Sequence, residues 1–278
     1  MNAVLSAILL SLVAGLGTAV GGLLAVLRRP GRRQFGFLMG MTSGVMITLA
    51  FLELVNEAWQ HQGYITATVG FGAGAIFMFL IDILIPHVRF GEDETPAHEK
   101  IGWQELASPL RPGRHPHWGR LRRHGPTLDH HLLKSGILIA IGVTIHNFPE
   151  GVAVGAGFMH SPKFGLFIAL AIMLHNIPEG IATALPLCKS GICRWDSFKV
   201  AFFSGLVEPV GALVAALFLV NFQSLIPGAL AFAGGVMVFI TLDELIPAAR
   251  EHGHQHFTAM GIISGAIFVF LLSGMLGG

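Results

Sequence analysis

The sequence predicts an all-α integral membrane protein, a bundle of eight transmembrane helices, and three observations carry that prediction. The composition is 53% hydrophobic and only 12% charged, with a mean hydropathy of +0.68, whereas soluble domains carry about 25% charged residues. Eight stretches are apolar over the roughly 20 residues that a helix needs to cross a bilayer. Lysine and arginine gather on alternate links between those stretches. The chain therefore reads as one transmembrane domain, 1–278, multi-pass in the cell (inner) membrane.

The first span, 3–27, has no basic residues ahead of it; Arg28 and Arg29 follow it. It is expected as a spanning helix and not as a cleaved signal peptide. Spans follow at 36–57, 64–86, 132–159, 163–187, 198–221, 226–249 and 257–276. The first, third and eighth are cleanly apolar. The second, fourth, fifth, sixth and seventh carry polar groups near their centres, so they are expected to face something polar. Residues 87–131, between the third and fourth spans, hold Pro, Gly, Arg and His with little periodicity, and read as a flexible loop. Its histidines (His98, His115, His117, His124, His130, His131) suit either loose metal binding or plain solvation. A second cluster, His252, His254 and His256, follows the seventh span as a further candidate for loose metal binding. Cys188 and Cys193 give no disulfide framework and read as incidental thiols.

Charge sets the orientation. The first, third, fifth and seventh links and their flanks carry Arg28 to Arg33, Arg89 through Lys134, Lys189, Arg194, Lys199 and Arg250; the opposite side has only Lys163. Positive residues prefer the cytoplasm. Both termini are thus expected to be extracytoplasmic and the 87–131 loop cytoplasmic.

Two internal repeats stand out. HNFPEG at His146–Gly151 returns as HNIPEG at His175–Gly180 on the next span. More faintly, GVMITLAFLEL from Gly44 resembles GVMVFITLDEL from Gly235, on spans expected to run in opposite directions. That is the pattern of an inverted repeat, a common transporter architecture.

In each hexapeptide the His and the Glu are four residues apart and stack on one helix face. Pro149 and Pro178 lack an N–H and free the carbonyls of Ile145 and Leu174, a break tolerated at membrane depth where it lines a cavity. The sixth span adds Glu208 before Pro209, and the second adds Met46 at similar depth. Three carboxylates, two imidazoles and two amides are therefore expected together near mid-membrane, between the fourth and fifth helices. Each ionised carboxylate there costs about a few kcal/mol if unpaired, and no Lys or Arg is central to these spans. Protons or divalent cations must supply the positive charge. Imidazole with carboxylate suits zinc and other first-row metals; an all-oxygen set would suit calcium or magnesium. Met46 fits a thioether ligand or a core filler. Glu53, Asp82, Asp243 and Glu244 lie nearer the span ends. They are candidates for an ion pathway, or anchors of those ends.

The doubled hexapeptide, with the eight-span layout, the His-containing third link and the Glu-Pro of the sixth span, resembles the paired signature of the ZIP family of divalent metal transporters. The bacterial, GufA-like members are the most similar. The resemblance implies metal uptake into the cytoplasm through two adjacent positions. Met46, His146, Glu150, His175 and Glu179 would form the first. Asn147, Asn176 and Glu208, sharing Glu150 and Glu179, would form the second. Some members have Gln or Asp in the fifth-helix motif where this chain has His-Asn; the extra imidazole favours zinc over iron, manganese, cobalt or cadmium as the transported substrate. The resemblance also implies a moving unit of helices one, four, five and six, and a supporting, dimerising unit of helices two, three, seven and eight.

No catalytic cofactor is expected, and the expected partners are divalent metal ions, the lipid bilayer and a second copy of the chain, with no nucleic acid. No GxxxxGK[ST] loop is present, so the ion gradient, the membrane potential or protons must drive transport. Two charges moving inward through 100 mV gain about 4.6 kcal/mol, at about 2.3 per charge, enough for roughly thousandfold accumulation. Two other readings compete with import. A metal efflux transporter would use the same ligands. An intramembrane zinc-dependent metalloenzyme would need a base beside its first histidine, as in HExxH, where this chain has Asn.

Overall fold

In the computed structural model, residues 3–28, 30–84, 130–252 and 254–276 are described, and all regular structure among them is helical. Helix α1 is Ala3–Leu27. Helix α2, Arg32–Thr48, starts where the Gly31 N–H donates to Gln34 Oε1 at 3.0 Å, and runs into a π-helical segment, Leu49–Val55. Helix α3 is Asn56–Leu84. Then come α4 (His130–His160), α5 (Pro162–Lys189), α6 (Arg194–Gly205) and α7 (Val207–Leu219). Helix α8, Ile226–Ile240, leads into a second π-helical segment, Thr241–Leu245, and α9 (Ile246–His252) and α10 (Gln255–Leu276) complete the order.

Six helical runs among the described residues are long and apolar enough to cross a membrane, so the chain is a multi-pass membrane protein. One of them, Arg32–Leu84, has 53 residues. At about 1.5 Å per residue it would stretch about 80 Å if straight, against a hydrocarbon core of about 30 Å. It is broken at Gly63, whose φ of 80° is left-handed backbone that glycine adopts without penalty. Beyond the break α3 packs on α8, whereas α2 packs on α10. Helices α4 and α5 are joined through Ser161 alone. Its hydroxyl accepts from the Phe164 N–H at 3.1 Å, with Pro162 opening the new helix.

The contacts fall into two groups. Helix α1 packs on α5, α6 and α7, and α4 packs on α5 and α7; α3 packs on α8, and α2 on α9 and α10. The groups meet where α4 crosses α8 and where α2 crosses α5. Large apolar side chains on the outer faces of α3 and α10, such as Val69, Ile76, Ile263 and Phe270, stay exposed, as a lipid-facing surface requires.

The faint repeat has a backbone counterpart. Gly44 and Gly235 begin the matching sequences, and each is followed within two turns by a π-helical segment, which starts at Leu49 in one and at Thr241 in the other. These segments hold Glu53 in one and Asp243 and Glu244 in the other. Most of the 87–131 loop lies outside the described residues, with His98, His115, His117 and His124; so do the side chains of His130, His131 and His252.

Candidate metal centre

The two hexapeptides sit on α4 and α5, which continue helically through Pro149 and Pro178. Their polar side chains, and Glu208 of α7, are sealed from solvent: His146, Asn147, Glu150, His175, Asn176, Glu179 and Glu208 are all 0–1% exposed. Each His and Glu stack along one helix face, yet the close pairs run between helices. His146 Nε2 lies 3.3 Å from Glu179 Oε2, and His175 Nε2 lies 2.9 Å from Glu150 Oε1. Ligand atoms of His146, Glu150 and Glu179 lie within 4.8 Å of one another.

The amides are held by their nitrogen ends. Asn147 Nδ2 donates to the Ser204 carbonyl at 2.9 Å, beside the helix break at Leu206. Asn176 Nδ2 donates to the Ala14 carbonyl at 3.1 Å and also to Glu208 Oε1. An amide nitrogen can only donate and its oxygen can only accept, so these bonds fix which way each amide is turned. They leave Asn147 Oδ1 and Asn176 Oδ1 without a hydrogen-bond partner, as are Glu150 Oε2, Glu179 Oε1 and Glu208 Oε2. Five buried acceptor oxygens without a donor are costly in any protein interior. A cation bound among them would satisfy them together.

Backbone contacts bring these groups together. A Cβ on Gly151 would strike the Glu208 carbonyl, and one on Gly180 would strike the Thr18 carbonyl. The last glycine of each hexapeptide is therefore where α4 meets α7 and where α5 meets α1. Gly15 and Gly205 face each other in the same way, next to the Gly205 carbonyl that Pro209 deprives of its helical donor. On the other side, Thr42 Oγ1 of α2 donates to the His175 carbonyl at 3.2 Å.

The ligand chemistry fits a divalent first-row metal: two imidazoles, three carboxylates and two amide oxygens, with a histidine nitrogen beside Glu150 and another beside Glu179. Three ionised carboxylates against one divalent cation leave one negative charge, and against two cations one positive charge. Either residue of charge is smaller than the bare cluster.

Comparison with known proteins decides the lineage. Residues 84–273 match the family model described as ZIP Zinc transporter. The chain belongs to the ZIP family. Among its relatives is the protein named zinc transporter ZupT of Oceanobacillus iheyensis, 39% identical over 276 residues, which cover 95% of this chain and 96% of that one. The protein of the same name from Akkermansia muciniphila is 37% identical over 281 residues, 97% of each chain. The Arabidopsis thaliana protein named zinc transporter ZTP29 is 35% identical over 273 residues, 95% of this chain and 94% of that one. ZIP membership thus rests on nearly the whole chain and agrees with the doubled hexapeptide.

Met46 is fully buried, and its sulfur lies 3.6 Å from Thr241 Oγ1 of the second π segment. Asp82 is buried near the end of α3; Glu53 and Glu244 are half-buried and Asp243 is exposed. His254 and His256 are exposed, with ring centroids 5.6 Å apart. Sequence reading did not single out Glu57, His61 and His160, whose ligand atoms also lie within 4.8 Å of one another. Their only signal was the four-residue Glu57–His61 spacing, and nothing in the sequence pointed from there to His160.

Proposed function

We propose that this chain carries divalent transition metal ions, chiefly zinc, into the cytoplasm through two adjacent positions built from α4, α5 and α7. The observation that carries the reading is the crossed pairing of His146 with Glu179 and His175 with Glu150, beside five buried acceptor oxygens without donors. Met46, His146, Glu150, His175 and Glu179 serve as ligands of the first position. Asn147, Asn176 and Glu208, with Glu150 and Glu179 shared, serve the second. The relatives' names support zinc as the substrate; iron, manganese, cobalt and cadmium share the ligand preference.

The chain makes eight crossings: Arg32–Leu84 counts as two, split at Gly63, and His130–His160 is added to the apolar runs. The matching π segments support an inverted repeat. Both termini are extracytoplasmic, and the protein works as a homodimer in the cell membrane. A hydrated ion sheds water into the site, and the α1–α4–α5–α6–α7 group shifts against the other to open it inward. Glu53, Asp82, Asp243 and Glu244 line the path.

Radioactive zinc uptake into sealed proteoliposomes tests this. The native protein is compared with the double variant His146→Ala, His175→Ala, with and without an imposed pH difference. Uptake by the native protein alone is expected. Equal uptake by both would remove the imidazoles from the path and leave the carboxylates as the only ligands.

A further inference from the structure

We propose a second metal site, formed by Glu57, His61 and His160 at the outer rim of the bundle, which takes zinc or a similar divalent cation before it reaches the buried centre. Glu57 stands in the first turn of α3, His61 one turn on, and His160 is the last residue of α4. The two imidazoles converge on one carboxylate oxygen: His61 Nε2 lies 2.9 Å and His160 Nε2 2.6 Å from Glu57 Oε1. Their rings meet edge to face with centroids 4.8 Å apart, and Phe164 packs on the far side of His160 at 5.6 Å.

A Glu–His pair four residues apart on one helix is common and by itself carries nothing. Here the third ligand comes from another element. Gly63 in left-handed backbone ends the turn after His61, and the single-residue link at Ser161 fixes His160. Two histidines and one glutamate are a ligand set that zinc accepts while keeping a position open. Exposure grades across the set, with the side chain of His61 53% exposed, Glu57 24% and His160 21%. That leaves the open position on the wet side, as reversible capture requires.

The site is separate from the buried centre. His160 lies fourteen residues beyond His146 on the same helix, about 21 Å at about 1.5 Å per residue. Trp59 and Tyr64, exposed and with rings 6.2 Å apart, flank it; Trp and Tyr favour the level of the lipid headgroups. Gln62 Nε2 donates to the Ser224 carbonyl, so the second, fourth and sixth links share this face. That this face is the outer one rests on the orientation given under the proposed function.

The test counts zinc per chain in the full-length protein after equilibrium dialysis, with cobalt absorption as a second reading of coordination. His61→Ala with His160→Ala is expected to lose one ion per chain relative to native. His146→Ala with His175→Ala is expected to keep that ion and its tetrahedral cobalt bands. Changing groups that merely orient a ligand costs about 10–100-fold in affinity, so Glu57→Gln, which keeps the side chain's size, should weaken the outer ion at least about tenfold. In proteoliposomes the outer double variant should take up zinc more slowly at low concentration and reach the native rate at saturation. An unchanged ion count in both His61→Ala, His160→Ala and Glu57→Gln overturns the site and leaves a hydrogen-bonded cluster only. A native protein that binds the outer ion but transports nothing would refute the transport reading and leave this site standing.

Discussion

At the scale of residues, the buried centre is a problem of uncompensated charge. Glu150, Glu179 and Glu208 are 0–1% exposed, and Glu208 receives a hydrogen bond only from the Asn176 amide among the bonds described. Protons and metal ions are alternative occupants of the same nitrogen and oxygen lone pairs. The sign follows: as pH falls, imidazole and carboxylate take protons, and metal affinity must fall with them. An imidazole of ordinary pKa, about 6.5, alone lowers apparent affinity about tenfold between about pH 7.5 and about pH 5.5. Zinc binding by the purified protein, measured by competition with a dye across that interval, should weaken by at least this factor; a flat affinity would refute proton competition. Glu179→Gln removes a carboxylate and places a donor against His146, and should weaken zinc at least about tenfold, since changing a group that only orients a ligand already costs about 10–100-fold. The same dye titration at neutral pH checks it.

At the scale of elements, the hexapeptide glycines are packing devices. Gly180 lets α5 approach the Thr18 carbonyl of α1, and Gly151 lets α4 approach the Glu208 carbonyl of α7. Small residues at such crossings allow backbones to pack closely inside membranes. A methyl group at either position forces the helices apart, an overpacking that costs about 1–3 kcal/mol. Gly180→Ala should therefore lower the thermal unfolding midpoint and reduce zinc uptake although every ligand is retained. Gly72→Ala, inside α3 where an added Cβ would meet nothing within 4 Å, serves as the control and should leave uptake unchanged and the midpoint no lower, since alanine favours a helix interior over glycine. Equal midpoints for the two variants would remove the packing role. The π-helical segments are a second device of this scale. Each inserts wide backbone turns where Glu53 or Glu244 sits, and such segments recur at functional sites.

At the scale of the whole molecule, charge asymmetry predicts sidedness, and the chain carries its own reporter. Cys193 is exposed and Cys188 is buried, and Cys193 lies on the fifth link, between α5 and α6. With the termini outside, that link is cytoplasmic. A membrane-impermeant maleimide should fail to label intact cells and should label inverted vesicles at Cys193; labelling of intact cells would reverse the orientation. The contacts agree with such a division of faces. Gln62 and Ser224 join the second and sixth links, and Glu57 and His160 the second and fourth. At the opposite face Arg33 lies over the Phe257 ring at 5.7 Å, joining the first and seventh. The grouping of α1 with α5, α6 and α7, apart from α3 with α8, is the division that the proposed shift of one group against the other requires.

Much of this was legible in one dimension, because a bilayer imposes one-dimensional rules. Length and hydropathy mark helices that must satisfy their own backbone, and a pair of mid-span His–Asn–x–Pro–Glu–Gly motifs marks buried polar chemistry. The sequence by itself determined the helical class and the inventory of polar side chains that the buried centre gathers. It placed His146 with Glu150 and His175 with Glu179, each pair on one helix face. Only the tertiary structure decided that the close partners are His146 with Glu179 and His175 with Glu150. It alone turned the amide oxygens of Asn147 and Asn176 away from their donor bonds, and it alone brought His160 to Glu57. The physical reason is the same in each case. Spacing along a helix sets which side chains share a face, but which face meets which neighbour depends on backbone contacts such as Gly151 on Glu208 and Gly180 on Thr18, which join residues far apart in the chain.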